Sequence, residues 1–176
     1  MKKTACFVLV VTTLAFMGCE INVESDCGDW DFSPHSVFFD VMDAEGNNLL
    51  DSATVNNILN DSITVLYKNK TYSIATCDEK QGYATKAIKP EPLALRLIYH
   101  GYYEKMMLSF GEFGPSSYNL GYHGETFTIS WGDGREDEVK FDLYITWKKC
   151  KPTVHTVLYF NNKLYSKESF LITIVK

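Results

Sequence analysis

One stretch of strictly alternating residues near the carboxyl end constrains the fold of this chain most. Polar and apolar side chains alternate over residues 126–131 and again over 139–148, on either side of Gly132-Asp133-Gly134. A period of two places successive side chains on opposite faces of a strand. Asp-Gly favours a hairpin turn, because both positions tolerate positive φ. The sequence therefore predicts an antiparallel hairpin with one packed face, and alternation assigns Trp131 and Trp147 to that face.

Shorter strand patterns fill most of the remaining chain. Turn residues separate them, and no stretch has a convincing helical period, which favours a β-sandwich of about seven to nine strands. In residues 93–100, Leu93, Leu95, Leu97 and Tyr99 fall on one face. We predict long loops over 77–92 and 111–124. The further predicted strands cover residues 37–42, 62–68, 71–75, 93–100, 105–110, 154–160, 163–165 and 170–175.

The amino-terminal 19 residues predict where the protein resides. Lys2 and Lys3 precede an apolar run over 5–17, and Gly18-Cys19 closes it. The run is shorter than the roughly 20 residues that span a bilayer, and the order of basic, apolar and small residues is typical of a signal peptide.

The end of this run, Phe16-Met17-Gly18-Cys19, resembles the lipobox of bacterial lipoproteins, although leucine is commoner at the position of Phe16. The resemblance implies a signal peptide over 1–18, a lipidated Cys19 that begins a tether over 19–27, and a domain over 28–176. It further implies a lipid anchor in the outer membrane, with the periplasmic or surface face left open.

Composition limits the classes of function. Cleavage before Cys19 removes 18 of 176 residues and two lysines, leaving 158 residues and a net charge of −7 in place of −5. An acidic single domain without a basic cluster argues against nucleic acid and against anionic lipid headgroups as partners. The hydrophobic content of 45% supports a packed core.

Three cysteines follow Cys19 in the sequence: Cys27, Cys77 and Cys150. Thiols outside the cytoplasm tend to be oxidised, and an odd number leaves one unpaired or paired between molecules. Because Cys77 and Cys150 each follow a predicted strand, we predict a disulfide between them. A buried, free Cys77 is the alternative.

The sequence contains no local catalytic or metal-binding motif. Its four histidines are widely separated, and no nucleophile elbow, zinc motif or phosphate loop is present. Asp43, Glu45 and Asn47 lack the distal glutamate of a calcium loop, and Asp133 is interpreted as a turn former. We predict no enzymatic activity, no cofactor and no metal site. The histidines are His35, His100, His123 and His155.

Aromatic loops are the best candidates for binding. Tyrosine and other rings mixed with glycine, serine and asparagine are typical of binding loops, because rings give rigid contact area and small polar residues give adaptable hydrogen bonds. A glycan or an envelope protein would suit such loops; the alternative is that the rings cap the ends of the sandwich. The candidates are Tyr102, Tyr103, Phe113, Tyr118, Tyr122 and His123.

Several short motifs resemble those of known families. Trp131-Gly132-Asp133-Gly134 resembles the Trp-x-x-Gly-Asp-Gly motif of PKD-type domains, which implies an immunoglobulin-like β-sandwich. Residues 41–50 resemble the first hairpin of transthyretin-like sandwiches, which is the alternative. Asp51-Ser52-Ala53 resembles the O-glycosylation motif of Bacteroidetes exported proteins, with Ser52 as the acceptor. The whole chain resembles the uncharacterised single-domain lipoproteins of Bacteroidales, a family without assigned activity.

These features together predict a non-enzymatic, lipid-anchored binding or adhesion module of the cell envelope. A structural accessory subunit that pairs an edge strand with a partner is the alternative from another class. An envelope hydrolase is the most distant alternative.

Overall fold

The computed structural model describes residues 30–75 and 93–176, and the regular structure of these residues is almost entirely β. It consists of ten strands and one 3-10 turn, Tyr118–Leu120. The predicted all-β class is confirmed, and each of the ten strands overlaps one of the predicted strand segments. The strands are β1 His35–Met42, β2 Thr64–Tyr67, β3 Lys70–Ser73, β4 Leu95–His100, β5 Lys105–Phe113, β6 Tyr122–Ser130, β7 Glu136–Lys148, β8 Lys151–Phe160, β9 Lys163–Ser166 and β10 Leu171–Val175.

The strands form two sheets that pack face to face as a β-sandwich. One sheet has four strands in the order β10-β1-β5-β4, and the other has six in the order β3-β2-β6-β7-β8-β9. The pairing is antiparallel apart from the parallel pair β1–β10. The predicted loop over 77–92 lies outside the described residues.

The β6–β7 hairpin confirms the strongest sequence prediction. Ser130 pairs with Glu136 across Gly132-Asp133-Gly134, and the pairing extends to Tyr122 opposite Leu143. The apolar members of the alternation point inward and are at most 3% exposed: Phe127, Ile129, Trp131, Val139, Phe141, Leu143 and Ile145.

Aromatic rings join the two sheets across the core. Phe39 of β1 lies 5.9 Å from Trp131, at the end of β6, measured between ring centroids. Phe110 of β5 lies 4.9 Å from Phe127 of β6. Such pairs contribute about 0.5–1.5 kcal/mol each beyond the burial of their area. The rings therefore fix how one sheet sits on the other.

The hydroxyl of Tyr67, a residue of this core, is hydrogen-bonded. Tyr67 Oη donates to Glu125 Oε2 at 2.8 Å, and Lys68 Nζ lies 3.3 Å from the same carboxylate oxygen. Burial, together with the bond to Glu125, raises the pKa of Tyr67 to about 12. The phenol therefore stays protonated through the neutral and mildly alkaline range.

The predicted loop over 111–124 is shorter in the structure. β5 continues to Phe113 and β6 begins at Tyr122. Gly111 makes the continuation possible: its φ is +77°, and a Cβ there would lie 2.5 Å from the Phe113 ring. Only glycine fits both the backbone and the ring at this point.

Alternation holds less well at the strand ends. Leu95 of β4 is fully buried as predicted, but Tyr99 on the same face is 63% exposed. Alternation also assigns Trp147 to the core, yet Trp147 is 46% exposed. Its ring lies beyond the buried cluster and packs edge-on against Trp30 at 6.4 Å and Phe32 at 6.2 Å. The prediction of Trp147 as a core residue is therefore wrong.

Different residues lie at the two ends of the sandwich. We call the end with the β7–β8 turn and Trp30 the tether end. At the opposite end, the far end, Lys176 Nζ donates to Asp133 Oδ2 at 2.9 Å and lies 4.8 Å from the Trp131 ring centroid. The polypeptide thus runs from the tether end into β1 and finishes at the far end.

Replacing Trp131 or Trp147 with alanine tests whether Trp131 is a core residue and Trp147 is not. We expect Trp131→Ala to lower the free energy of unfolding by about 3–5 kcal/mol, the usual loss for a buried ring. The matched variant Trp147→Ala removes only edge contacts of about 0.5–1.5 kcal/mol each. Urea denaturation measures both; an equal loss for the two variants would contradict the structure.

Candidate ligand-binding site

The structure places the six predicted ligand residues in three different regions. Tyr102 and Tyr103 lie in the turn between β4 and β5, and Tyr118 and His123 lie beside the outer face of the six-stranded sheet. Phe113 and Tyr122 belong to the core or its margin. The candidates therefore belong to two separate aromatic surfaces and to the core.

Phe113 is not a surface residue, and its prediction as a ligand contact is wrong. It is 1% exposed and lies 4.7 Å from the ring of Phe141. Tyr122 is partly buried and packs 5.4 Å from Phe113 and 5.8 Å from Phe141. Both rings pack against the core, and the Phe113 ring presents no face to a ligand. The role of Tyr122 as a ligand contact stays a prediction.

Tyr102 and Tyr103 line a cavity of about 310 Å³ on the outer side of the four-stranded sheet, which we call the ring pocket. Its other walls come from the start of β1, the end of β4 and the segment that leads into β10. The rings meet at close distances: His100 to Tyr103 is 4.9 Å, and His100 to Phe38 is 5.1 Å. The lining residues are Pro34, His35, Ser36, Phe38, His100, Tyr102, Tyr103, Ser169, Phe170 and Leu171.

The ring pocket carries an unsatisfied polar atom. His100 Nδ1 is buried and has no hydrogen-bond partner among the described residues. Burial lowers the pKa of His35, the second imidazole of the pocket, below its ordinary value. His35 is therefore neutral at pH 7. The lining contains no carboxylate, ammonium or guanidinium group among the residues that the structure describes, so its chemistry is aromatic and hydroxylic.

Asp40 and Lys105 form an ion pair on the four-stranded sheet. Asp40 lies on the face of β1 opposite to the core residues Phe39 and Val41 and is only 3% exposed. Lys105 Nζ donates to its Oδ2. The two charges of this pair therefore balance each other.

A second aromatic surface crosses the outer face of the six-stranded sheet. Tyr144 of β7 is stacked on His155 of β8 at 4.8 Å and lies 5.0 Å from His123 of β6. Tyr118, which is 56% exposed, completes the row at 4.9 Å from Tyr144. One ring nitrogen of each histidine on this surface has a hydrogen-bond partner: His123 Nε2 lies 2.6 Å from the Tyr118 carbonyl oxygen, and His155 Nε2 lies 2.7 Å from Thr146 Oγ1.

Asp43 and Asp133, which the sequence analysis weighed as functional carboxylates, form hydrogen bonds within turns. Asp43 Oδ1 accepts from the Asn47 amide at 2.7 Å, and bonds from Asn47 lower the pKa of Asp43. The Arg135 guanidinium and the Lys176 ammonium hold the pKa of the Asp133 carboxyl well below its usual range. Both residues stabilise local backbone, as the turn interpretation of Asp133 requires.

The remaining predicted sites are only partly covered by the described residues. Ser52 is exposed in a turn, and Asp51 Oδ1 accepts from the Ala53 amide at 2.9 Å; its glycosylation stays a prediction. Cys19 and Cys77 lie outside the described residues. Cys150 is disulfide-bonded. In residues 30–75 and 93–176, no group of three histidine, cysteine or acidic side chains is placed to hold a metal ion.

Comparison with known proteins assigns no family to the chain. It matches no protein-family model, no curated protein and no solved structure. Within the described part of the chain, no helix is both long and apolar enough to cross a membrane.

Sequence reasoning missed the two histidines of the ring pocket. His35 and His100 are 65 positions apart and look like scattered residues in the sequence. In the four-stranded sheet, β5 lies between β1 and β4. Side chains of β1 and β4 that point away from the core lie on the same outer face of this sheet. The tyrosine pair Tyr102-Tyr103 was the only local signal for this site.

Proposed function

We propose that this protein is a non-enzymatic, lipid-anchored protein of the cell envelope that binds a glycan in the ring pocket. The observation that carries the proposal is a pocket lined by aromatic rings, with no carboxylate, ammonium or guanidinium group among its described lining residues. One of these rings, His100, has a buried Nδ1 without a hydrogen-bond partner among the described residues. The rings are what a sugar C–H face would contact, and the imidazole of His100 is a polar group that a sugar hydroxyl would approach.

The unpartnered nitrogen favours a hydroxylic ligand. A buried polar group without a hydrogen bond costs about 1–3 kcal/mol, which a ligand group would recover on binding. A hydroxyl suits His100 in either tautomer, because it both donates and accepts. Tyr102 is 85% exposed, so its ring is available for contact with the incoming ligand.

The charge and the size of the pocket favour a neutral sugar. With His35 neutral at pH 7 and no ammonium or guanidinium group among the described lining residues, neither a lysine nor an arginine is present to pair with an anionic ligand. Its volume of about 310 Å³ is at the small end of the usual range for ligand pockets. One terminal sugar of a longer glycan fits this description better than an extended chain.

The anchor in the proposal rests on the sequence of residues 1–19. A basic start, a short apolar run and Gly18-Cys19 together resemble a lipoprotein signal. Each buried acyl carbon contributes about 0.8 kcal/mol, and attachment is stable when two or more chains insert. The proposed location is the outer membrane.

The sheet edges favour a binding module over an accessory subunit joined by strand pairing. At the β10 edge, the Tyr165 hydroxyl accepts from the Thr173 amide at 2.9 Å. The start of β4 is covered where the Ala75 amide donates to the Leu95 carbonyl at 2.8 Å. β3 and β9 are four residues long. Short or covered edges are how soluble sheets avoid pairing with other chains.

Glycan binding is tested with the full chain in detergent on an array of envelope and host-type glycans, alongside a panel of envelope proteins. We expect binding to a neutral glycan that weakens about tenfold or more in His100→Ala, because the hydrogen bond to its ring is lost. Tyr103→Ala should weaken it similarly by removing a contact ring. The melting temperature of each variant is measured in parallel.

Tyr99→Ala is the matched control for these variants. Tyr99 is a 63% exposed tyrosine on the strand that carries His100, and it does not line the ring pocket. Its removal should leave binding unchanged. Loss of binding in Tyr118→Ala, with His100→Ala unaffected, would move the site to the six-stranded sheet. Binding only to proteins, or measurable hydrolysis of the glycan, would reject the proposed activity.

The anchor is tested by fractionating cells that express the full chain. We expect Cys19→Ala to move the protein from the membrane fraction to the soluble fraction, because the thiol that carries the lipid is absent. Cys77→Ser is the matched control and should remain with the membrane. If Cys19→Ala also remained with the membrane, the lipid anchor would be excluded.

A further inference from the structure

We propose that the ring pocket selects a β-linked terminal sugar of the gluco configuration, whose ring substituents are all equatorial, and holds it between two sets of aromatic rings. The inference rests on the proposed glycan-binding function and names the class of sugar. One set of rings belongs to the four-stranded sheet, and the other belongs to the tip of the β4–β5 hairpin, residues 99–106. A sugar between them has rings beside each of its two faces.

The hairpin tip extends beyond the part of β5 that pairs with β1. The pairing of β1 with β5 ends at Phe39 opposite Leu108. The pairing of β4 with β5 continues to His100 opposite Lys105. The last turns of the hairpin are therefore not bound into the sheet by β1, and they are able to curve away from its plane.

The tip curves back over the outer face of β1. Phe38 of β1 and Arg96 of β4 both pair with Ser109 of β5, so these residues are level with each other in the sheet. His100 follows Arg96 by four positions. In a flat sheet, this offset and two strand spacings would separate the Cα atoms of His100 and Phe38 by roughly 16 Å. The ring centroids of His100 and Phe38 lie 5.1 Å apart, so the tip bends across the sheet above Phe38.

Two polar contacts hold the bent tip in place. Lys105 Nζ donates to the carboxylate of Asp40, which lies on the same outer face of β1 as Phe38. Asn48 Nδ2 donates to the Met106 carbonyl oxygen at 2.8 Å. The hairpin side of the pocket is therefore formed before a ligand arrives, as is usual for small-ligand sites.

The cavity of about 310 Å³ has rings from both the sheet and the hairpin tip. On the sheet side, His35 and Phe170 meet edge-on with their centroids 5.9 Å apart. On the hairpin side, Tyr103 lies 4.9 Å from both His100 and Tyr102. Among the residues that the structure describes, no ring contact joins the first pair to the three hairpin rings. The two sets therefore line one cavity without closing it.

Two sets of rings favour a sugar with two apolar faces. A β-linked gluco sugar presents C–H groups on both faces of its ring and carries its hydroxyls around the rim. An axial hydroxyl, such as the one at C4 of a galacto sugar, projects from one face toward the aromatic rings. A hydroxyl that loses water without gaining a hydrogen bond costs free energy. The pocket should therefore discriminate against sugars with an axial hydroxyl.

Serine hydroxyls in the lining suit the polar rim of such a sugar. Ser36 Oγ donates to the Gly111 carbonyl oxygen at 2.5 Å, and its own lone pairs remain able to accept from a sugar hydroxyl. Ser169, the second serine of the lining, is positioned by its amide, which donates to Ser166 Oγ at 3.0 Å. The pocket thus combines aromatic rings with short neutral hydroxyls.

Two matched pairs of disaccharides test the selection, with the full chain in detergent and titration calorimetry as the measurement. Cellobiose and lactose differ only at C4 of the terminal sugar, and so do chitobiose and its epimer with terminal N-acetylgalactosamine. We expect the gluco member of at least one pair to bind about tenfold or more tightly than its epimer, because the axial hydroxyl is left without a partner. Equal affinities, tighter binding of the galacto members, or no binding of either gluco member would overturn the selection.

Variants in each ring set test the two-sided contact. His35→Ala and Tyr103→Ala should each weaken binding of the gluco disaccharide, and the gluco-to-galacto ratio should fall in at least one of them, because one face of the sugar is then open to water. His35→Phe should keep the ratio, because it keeps a ring. Tyr99→Ala is the control and should change neither quantity. A ratio that is unchanged in both alanine variants, with melting temperatures that show both to be folded, would contradict the two-sided contact.

Failure of the selection and failure of the proposed function give different results. If a glycan that ends in another sugar binds on the array and is lost in His100→Ala, glycan binding stands and the gluco selection is wrong. If no glycan on the array binds, the proposed function itself is wrong. The disaccharide pairs are measured on the unmodified chain, so they decide the selection even where a variant does not fold.

Discussion

The contact of aromatic rings between the two sheets is the interaction on which the rest of this structure depends. Neither a four-stranded nor a six-stranded sheet can bury its apolar face alone, so each needs the other. Phe110 meets Phe127 at 4.9 Å, and Phe113 meets Phe141 at 4.7 Å, each pair joining β5 to the opposite sheet. Further rings and aliphatic side chains complete one continuous buried cluster.

The candidate site lies on an outer face of the sandwich, because the inner faces of both sheets are packed against each other. Rings that point inward, such as Phe113, are held by several neighbours and have no free face. Rings on the β4–β5 turn are not needed to close the core, because the turn lies on the outer side of the four-stranded sheet. Tyr102 and Tyr103 are therefore available for contact with a ligand, and His100 lies beneath them with a nitrogen that no described residue uses.

The tether end and the far end are held by different physical means. At the far end, Lys176 is fixed by the Asp133 carboxylate and by the face of Trp131. At the tether end, Trp30 and Phe32 cover Trp147, and the disulfide of Cys150 lies three positions further along the chain. Both ends of the described chain are thus attached to the six-stranded sheet, although β1 and β10 belong to the other sheet. This arrangement ties the two layers together at each end.

Local pattern predicted the inner faces well and failed where packing depends on residues distant in sequence. Alternation correctly assigned Phe127, Ile129 and Trp131 to the core, because a strand between two layers must alternate. It failed at Trp147, where the strand continues past the buried cluster and rings that precede β1 lie beside it.

Composition made Phe113 look like a loop residue, because no local signal shows that Gly111 bends the strand to bury the next ring. The presence of His35 and His100 in one pocket depends on strand order. Strand order is a property of the whole sheet and cannot be inferred from neighbouring residues.

Native-state hydrogen exchange tests most directly whether the ring contacts make the two sheets one cooperative unit. The slowest amides of β1 and β5 should exchange with the same free energy and the same denaturant dependence as the slowest amides of β6 and β7, because both sets open only by global unfolding. If the amides of β1 and β5 exchanged at a distinctly lower free energy, the four-stranded sheet would open independently. That result would contradict the dependence of the whole fold on the ring contacts between the sheets.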